Sequence, residues 1–358
     1  MKRLSRPIPT APLMLAGPAL ILGLYAGLQR LGLPLPGVTT PVPTSHGPMM
    51  IVGFFAALIS FERAVRGGRR WLLIVPVCAG ASALISLWSV DFSAALAIVA
   101  AALLLIAASS DLRGERPLVA VPHTCAALAL TVGSVRWWLG DPLPAVIGAW
   151  IGFPMLSILG DRLELHSPQA RRDDRAWLIV PTALVLLGGA LTTNWLVPRT
   201  PWLLAGGCTL LAAWLLRFDR EGLGFHRPGL PRYHAIGRTV GAIWLLIGAV
   251  ALIALPLQPA GMVYDAQVHL LLVGFVLNFV FAHGPVVFSG LFGKVPYWHP
   301  WLPAPLLMLQ LGIFFRLFGD FGKSPELRIV GGVATALAFI LFLVVTHLRV
   351  GRPVPIDA

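Results

Sequence analysis

The chain is a succession of apolar runs, each about as long as the hydrocarbon of a bilayer is thick. Runs of this kind fall at roughly 10–29, 45–65, 71–90, 92–110, 117–139, 142–161, 175–194, 200–217, 236–256, 264–290, 301–318 and 328–348. A helix needs about 20 apolar residues to cross about 30 Å of lipid core. The gaps are short and none is long enough for a soluble domain. The pattern predicts an all-α, polytopic membrane protein of about twelve transmembrane helices, organised as one transmembrane domain over residues 1–358. Composition points the same way. With 57% hydrophobic and 12% charged residues and a mean hydropathy of +0.81, too little polar surface exists to cover a water-exposed core. The lipid bilayer is therefore the first expected partner.

A net charge of +12 would suggest nucleic acid in a soluble protein. Here the basic residues sit in the gaps between apolar runs, where they orient helices instead, and no nucleic-acid partner is expected. With the N-terminus inside, 21 of the 27 Lys and Arg fall on the cytoplasmic side, including Arg63, Arg66, Arg69 and Arg70 after the second run. The other side keeps six: Arg30, Arg136, Arg199, Arg316, Lys323 and Arg328. This asymmetry predicts an even number of helices in the plasma membrane, with both termini cytoplasmic. Nine Trp at run ends (Trp71, Trp88, Trp137, Trp138, Trp177, Trp195, Trp202, Trp298 and Trp301) read as interfacial anchors. The basic, apolar opening resembles a signal peptide, but its length and the lack of a small-residue cleavage site predict a retained first helix. Cys78, Cys125 and Cys208 lie within apolar runs without paired spacing, so structural disulfides are not expected.

A weak internal repeat is visible. Runs 2, 6 and 10 each carry Gly-Phe near their middle, at Gly53-Phe54, Gly152-Phe153 and Gly274-Phe275. Nine residues after each Gly come Glu62-Arg63, Asp161-Arg162 and His283-Gly284. Three matches, four helices apart, predict three four-helix arcs about a pseudo-threefold axis. Chance competes with that reading because Gly-Phe is common in membrane helices.

An ionisable side chain in hydrocarbon is costly and marks a functional candidate. His166, His226 and His299 read as solvated loop residues, and His234 and His347 as interfacial ones. His46 opens run 2 and His269 lies in the first turns of run 10, at similar depth on the outer side. If those helices are neighbours, the two imidazoles are placed as axial ligands of a haem. Gly53 and Gly274 would then let a flat macrocycle approach the backbone. Asp265, one turn before His269, can orient that ring. Arg316 or Arg136 can supply a cation for the propionates, although snorkelling to the interface also explains Arg316. His283 follows His269 by fourteen residues, about 21 Å along a helix and nearly the same face. It is a candidate for a second haem or, with His123 of the VPHTC stretch, for a metal; imidazole suits iron, copper and zinc alike. Histidines near helix ends also cap backbone carbonyls. Met49 and Met50 read as core, and Glu62 and Asp161 as local ion-pair partners of the arginines that follow them.

The stretches HGPMMIVGFFAALIS and VHLLLVGFVLNFVFAHGPVVFSG resemble the histidine-bearing helices of the NnrS family. That resemblance implies a twelve-helix bacterial membrane protein associated with haem, copper and nitric oxide stress. It extends in plan to subunit I of the haem-copper oxidases, whose helices 2 and 10 supply low-spin haem ligands. By helix number and side those positions fall on His46 and His269. Runs 6 and 7 lack the copper-ligating histidines of the oxidases, so an oxygen-reducing centre is not implied. The resemblance thus implies haem b and copper as cofactors, in nitric oxide response or electron transfer. A small-molecule permease with a helix broken at AHGPVVFSG is the second reading, and a structural or assembly protein without cofactor is the third. Whether the chain is an enzyme is left open.

Overall fold

A computed structural model describes residues 10–36, 41–114, 117–165, 178–191, 200–218, 224–255, 258, 260–291, 294–349 and 352–353. His166, Trp177, Trp195 and the basic residues Lys2, Arg3, Arg6, Arg116, Arg171, Arg172, Arg175, Arg199 and Arg220 lie outside them. The described chain is helical apart from one two-residue antiparallel pairing, Lys294–Val295 with Arg352–Pro353. It divides into two compact units, Met1–Gly207 and Cys208–Ala358.

The first unit contains α1 (Ala16–Arg30), α2 (Pro48–Ala56 followed without a break by Ala57–Gly67), α3 (Ile74–Ile85), α4 (Val90–Asp111), α5 (Pro117–Trp138), α6 (Leu143–Leu165) and α7 (Ile179–Leu191). The unit boundary falls within α8 (Thr200–Arg217). The second unit contains α9 (Leu230–Ala254), α10 (Met262–His269, Leu270–Leu277 and Asn278–Leu291 in unbroken succession), α11 (Pro303–Gly322) and α12 (Pro325–Arg349). Each apolar run of the sequence therefore falls on a helix. Nine helices among the described residues are long and apolar enough to cross a membrane. The other three, Arg70–Ile85, Ile179–Leu191 and Pro201–Arg217, are shorter. The last turns of α2 end on Gly68 at φ +65°, a left-handed position that glycine fills without strain.

Helix α4 shows how such a chain packs where water is not the solvent. Its Ala94, Ala97, Ala100, Ala101, Ala107 and Ala108 are buried, whereas Phe92, Val99 and Ile106, seven residues apart, form an exposed stripe. Large apolar side chains facing outward with alanines inward is the arrangement for lipid outside and close backbone approach inside. In water that stripe would be an aggregation surface. The chain is a multi-pass membrane protein on these grounds. Between α3 and α4 the polar contacts are reciprocal: Ser82 Oγ donates to Ser93 O and Ser93 Oγ to Ser82 O, both at 2.7 Å. Glycines do the rest. Gly189 of α7 sits against Gly148 of α6, and Gly312 of α11 against Gly331 of α12, so closely that a Cβ on Gly189 or Gly331 would lie 2.6 Å from the facing carbonyl oxygen. Trp71, Trp88, Trp138, Trp202 and Trp301 are exposed, as interfacial anchors should be. Trp137 is not. It is buried edge-on against Trp150, with ring centroids 5.3 Å apart.

Candidate functional site

Both histidine-led helices, α2 and α10, depart from α geometry at the same place. Pro48–Ala56 and Leu270–Leu277 are π-helical, each begins just after a histidine, and each contains the Gly-Phe pair. The third Gly-Phe, Gly152-Phe153, lies in the plain α-helix α6. The π register shifts backbone pairing by one residue, and side chains bond the carbonyls it leaves. Asn278, at the end of the second π stretch, donates from Nδ2 to Gly274 O at 2.6 Å. Gln310 of α11 donates to Asn278 Oδ1 at 2.8 Å and accepts from Trp244 Nε1 of α9 at 2.8 Å. A chain of four groups thus pins the π segment inside the second unit.

His46 lies in a groove on α1. Gly23 and Gly27, one turn apart, face α2 with no side chain: a Cβ on Gly27 would lie 2.8 Å from His46 Cε1, and one on Gly23 2.8 Å from Met50 Sδ. His46 Nδ1 donates to Gly23 O at 2.7 Å. His269 Nδ1 donates to Asp265 O at 2.8 Å. A main-chain carbonyl can only accept, so Nδ1 carries a proton in both rings; in the neutral form this leaves the lone pair on Nε2, the tautomer of an Nε2 metal ligand. The expectation that Gly53 and Gly274 admit a macrocycle is not met at either position. Gly53 is filled by Ala83 and Ala19, and Gly274 by Trp244 and Ile313. These glycines admit neighbouring helices instead. Met49 is fully buried with Ala19 and Ala83, as read.

The carboxylate of Asp265 is directed to arginine more than to His269. Arg316 of α11 grips it through Nε at 2.7 Å and Nη2 at 2.8 Å, while His269 Nδ1 lies 3.4 Å from Oδ1. Arg328 of α12 adds a contact at 3.7 Å and itself pairs with buried Asp320 at 2.5 Å. Arg316 is therefore held by a bidentate ion pair within the second unit, with a side chain only 12% exposed. Arg136 is likewise engaged, with Asp141 at 2.6 Å and Ala190 O at 3.1 Å. The ring of His283 meets that of His234 edge-on, centroids 6.4 Å apart. His123 and His283, paired as a candidate metal site in the sequence, belong to different units, and so do His46 and His269.

Among the described residues a group of charges gathers where α2 and α6 end and α5 begins. Glu62 pairs locally, but with Arg66 one turn further along its helix, since adjacent helical residues diverge by about 100°. Arg66 contacts Glu62 at 3.4 Å and Asp161 at 3.0 Å, and also Glu164. Arg63 and Arg69 both go to Asp111 of α4. His123 of α5 is buried beside these acids, its Nε2 3.6 Å from Glu164 Oε1 and 3.8 Å from Asp161 Oδ1. The sequence signals were a hairpin and an i, i+3 acidic pair. His123 is about 15 residues before the turn joining α5 to α6, and Asp161 about 18 after it, so both lie roughly 22–27 Å from that turn.

No curated protein matches the chain. A family model described as a domain of unknown function, DUF8744, matches residues 9–350, which takes in every helix described above. The chain belongs to the DUF8744 family.

Proposed function

We propose that this chain is a haem- or metal-binding protein of the plasma membrane in which His46 of the first unit and His269 of the second each act as a ligand through Nε2. The observation that carries the reading is their common local structure. Each histidine leads a π-helical stretch containing Gly-Phe, and each has Nδ1 bonded to a main-chain carbonyl. Short π segments recur at functional sites, and a fixed tautomer is what outer contacts give a ligating imidazole. A bound haem b would supply one-electron or gas-binding chemistry, which fits a role in nitric oxide response or electron transfer, and copper is the alternative cation. The chain's own task is to hold each ring within its own unit. Gly23 and Gly27 seat His46, and Asp265 O, fixed through the Asp265–Arg316 pair, orients His269. Twelve crossings with both termini cytoplasmic accompany the proposal, supported by the charge asymmetry of the gaps.

An optical spectrum of the purified chain tests it. The expected result is a Soret band that shifts with dithionite, or stoichiometric copper, reduced in His46→Ala and in His269→Ala. A folded preparation that is colourless, gains no band with haemin and binds no copper would refute it. The second reading, a permease, draws on the same irregular backbone, since transporters interrupt helices within the bilayer. It does not draw on AHGPVVFSG, where α10 continues as α-helix through Pro285. Substrate-dependent uptake into vesicles by colourless protein would select it.

A further inference from the structure

We propose a second site, independent of His46 and His269: a divalent transition-metal site formed by His123, Asp161 and Glu164 in the first unit. Among the described residues these three offer ligand atoms that all lie within 4.8 Å of one another. Asp161 and Glu164 are three residues apart on α6 and so share a face, while His123 comes from the neighbouring helix α5.

Three observations raise this group above a patch of acids. His123 is 3% exposed, and among the described residues neither of its ring nitrogens has a partner within hydrogen-bond distance. A buried polar ring normally finds partners, yet this one directs Nε2 at two carboxylate oxygens from beyond hydrogen-bond reach, at 3.6 and 3.8 Å. Those separations suit a shared ion. Ligand bonds of about 2.0–2.2 Å in a tetrahedron put neighbouring donor atoms about 3.4 Å apart. The second observation is charge. Glu62, Asp161 and Glu164 converge on the guanidinium of Arg66, and Arg63 and Arg69 pair with Asp111, so among these ion pairs four carboxylates face three guanidiniums. That excess of acid favours a cation here. The third is orientation. Arg66 takes Oε2 of Glu164 and leaves Oε1 toward His123, which is how an outer contact aims a ligating carboxylate. Gly160 completes the seat: a Cβ there would lie 2.5 Å from His123 Nε2 and 2.6 Å from Nδ1, so the ring rests on bare backbone. The donor set of one imidazole and two carboxylates suits zinc, manganese or iron(II) better than copper(I). Side chains of Asp161 and Glu164 that are 19% and 34% exposed give the ion a way in.

The full chain, purified in detergent and stripped with chelator, is titrated with cobalt(II) and zinc(II). The expected result is one equivalent of cobalt with visible d–d absorption, displaced by zinc. Affinity should fall at least about 100-fold in His123→Gln and in Asp161→Asn, and stay unchanged in His46→Ala/His269→Ala. The two substitutions nearly preserve shape, and circular dichroism checks each fold; if His123→Gln does not fold, Asp161→Asn decides. Wild-type protein that binds neither ion, or binds them as tightly in both variants, overturns the site and leaves a buried ion-pair cluster. Haemin binding that persists in His123→Gln, or cobalt binding that persists in His46→Ala/His269→Ala, shows that the two proposals stand or fall separately.

Discussion

Gly160→Ala is the sharpest test of the seat beneath His123. The new methyl would lie 2.5 and 2.6 Å from the two ring nitrogens, whereas non-bonded heavy atoms settle at about 3.5–4.0 Å. Ring and methyl must separate by about 1 Å. The imidazole is buried and cannot swing into open space, so α5 and α6 must part or the ring must leave its rotamer. Overpacking of this size costs about 1–3 kcal/mol, against a gain of roughly 0.5–1 kcal/mol from replacing a helical glycine by alanine. Gly152→Ala, on the same helix, is the control. The nearest atom to its Cβ is 3.5 Å away, an ordinary contact, so the helical gain should appear undiminished. Unfolding free energies in mixed detergent should therefore rank Gly152→Ala above wild type and Gly160→Ala below it. Adding His123→Ala removes the ring and should restore most of the loss, a coupling of about 1 kcal/mol or more. Equal stabilities for the two alanine variants, or additivity within about 0.5 kcal/mol in the cycle, would refute the seat.

Three further outcomes are expected. Arg316→Met should cost about 3 kcal/mol, because the buried Asp265 carboxylate loses its bidentate partner and keeps only the 3.7 Å contact with Arg328 and the 3.4 Å contact with His269, and Arg316→Met/Asp265→Asn should recover much of that; detergent unfolding of the two variants checks it, and a double variant no better than the single one counts against the pair. Asn278→Leu should lose about 1–3 kcal/mol, because Gly274 O and the Gln310 amide lose their partner within the second unit; hydrogen exchange at residues 270–277 should rise with it, and unchanged exchange would mean the π stretch is held otherwise. Ser82→Ala should cost only about 0.6 kcal/mol, the usual worth of an interhelical hydrogen bond in a membrane, so a loss of several kcal/mol would show a larger role for the serine pair of α3 and α4.

What the sequence makes legible is set by how local each cause is. Helices follow from hydrophobic length: only helices and closed barrels satisfy their backbone hydrogen bonds in lipid, and runs of about 20 apolar residues are helical rather than barrel-strand length. The run near 175–194 is described only as Ile179–Leu191, about 20 Å long, which by itself does not cross the core. The π stretches had no such signal. Their register depends on which neighbour bonds the shifted carbonyls, and Asn278 meets Gln310 across thirty-two positions of sequence. For the same reason Gly53 and Gly274 were legible as small but not as occupied, since Ala83 and Trp244 come from other helices.

The charged residues show the same division: Glu62 does pair locally, with Arg66 one turn on, while the longer-range partners were not legible. Reading Glu62 with Arg63 and Asp161 with Arg162 pairs neighbours in sequence, but helical neighbours one residue apart point in different directions. Geometry sends Arg63 to Asp111 and gathers Glu62, Asp161 and Glu164 onto Arg66. The second unit matches Asp265 and Asp320 with Arg316 and Arg328, two carboxylates to two guanidiniums. That cluster is balanced and explains itself as structure. In the first unit the described ion pairs set Glu62, Asp111, Asp161 and Glu164 against Arg63, Arg66 and Arg69, four carboxylates to three guanidiniums, and there a buried imidazole stands without a hydrogen bond among the described residues. A membrane protein can hold unmatched carboxylates only by protonating them or by binding a cation. Chelator-stripped protein should accordingly lose stability that zinc restores, with the midpoint of unfolding rising as zinc exceeds its dissociation constant. His123→Gln should abolish that zinc dependence while leaving the stability of the stripped protein near its wild-type value. A zinc-independent midpoint in wild type would mean that protons, and not a metal, neutralise the group.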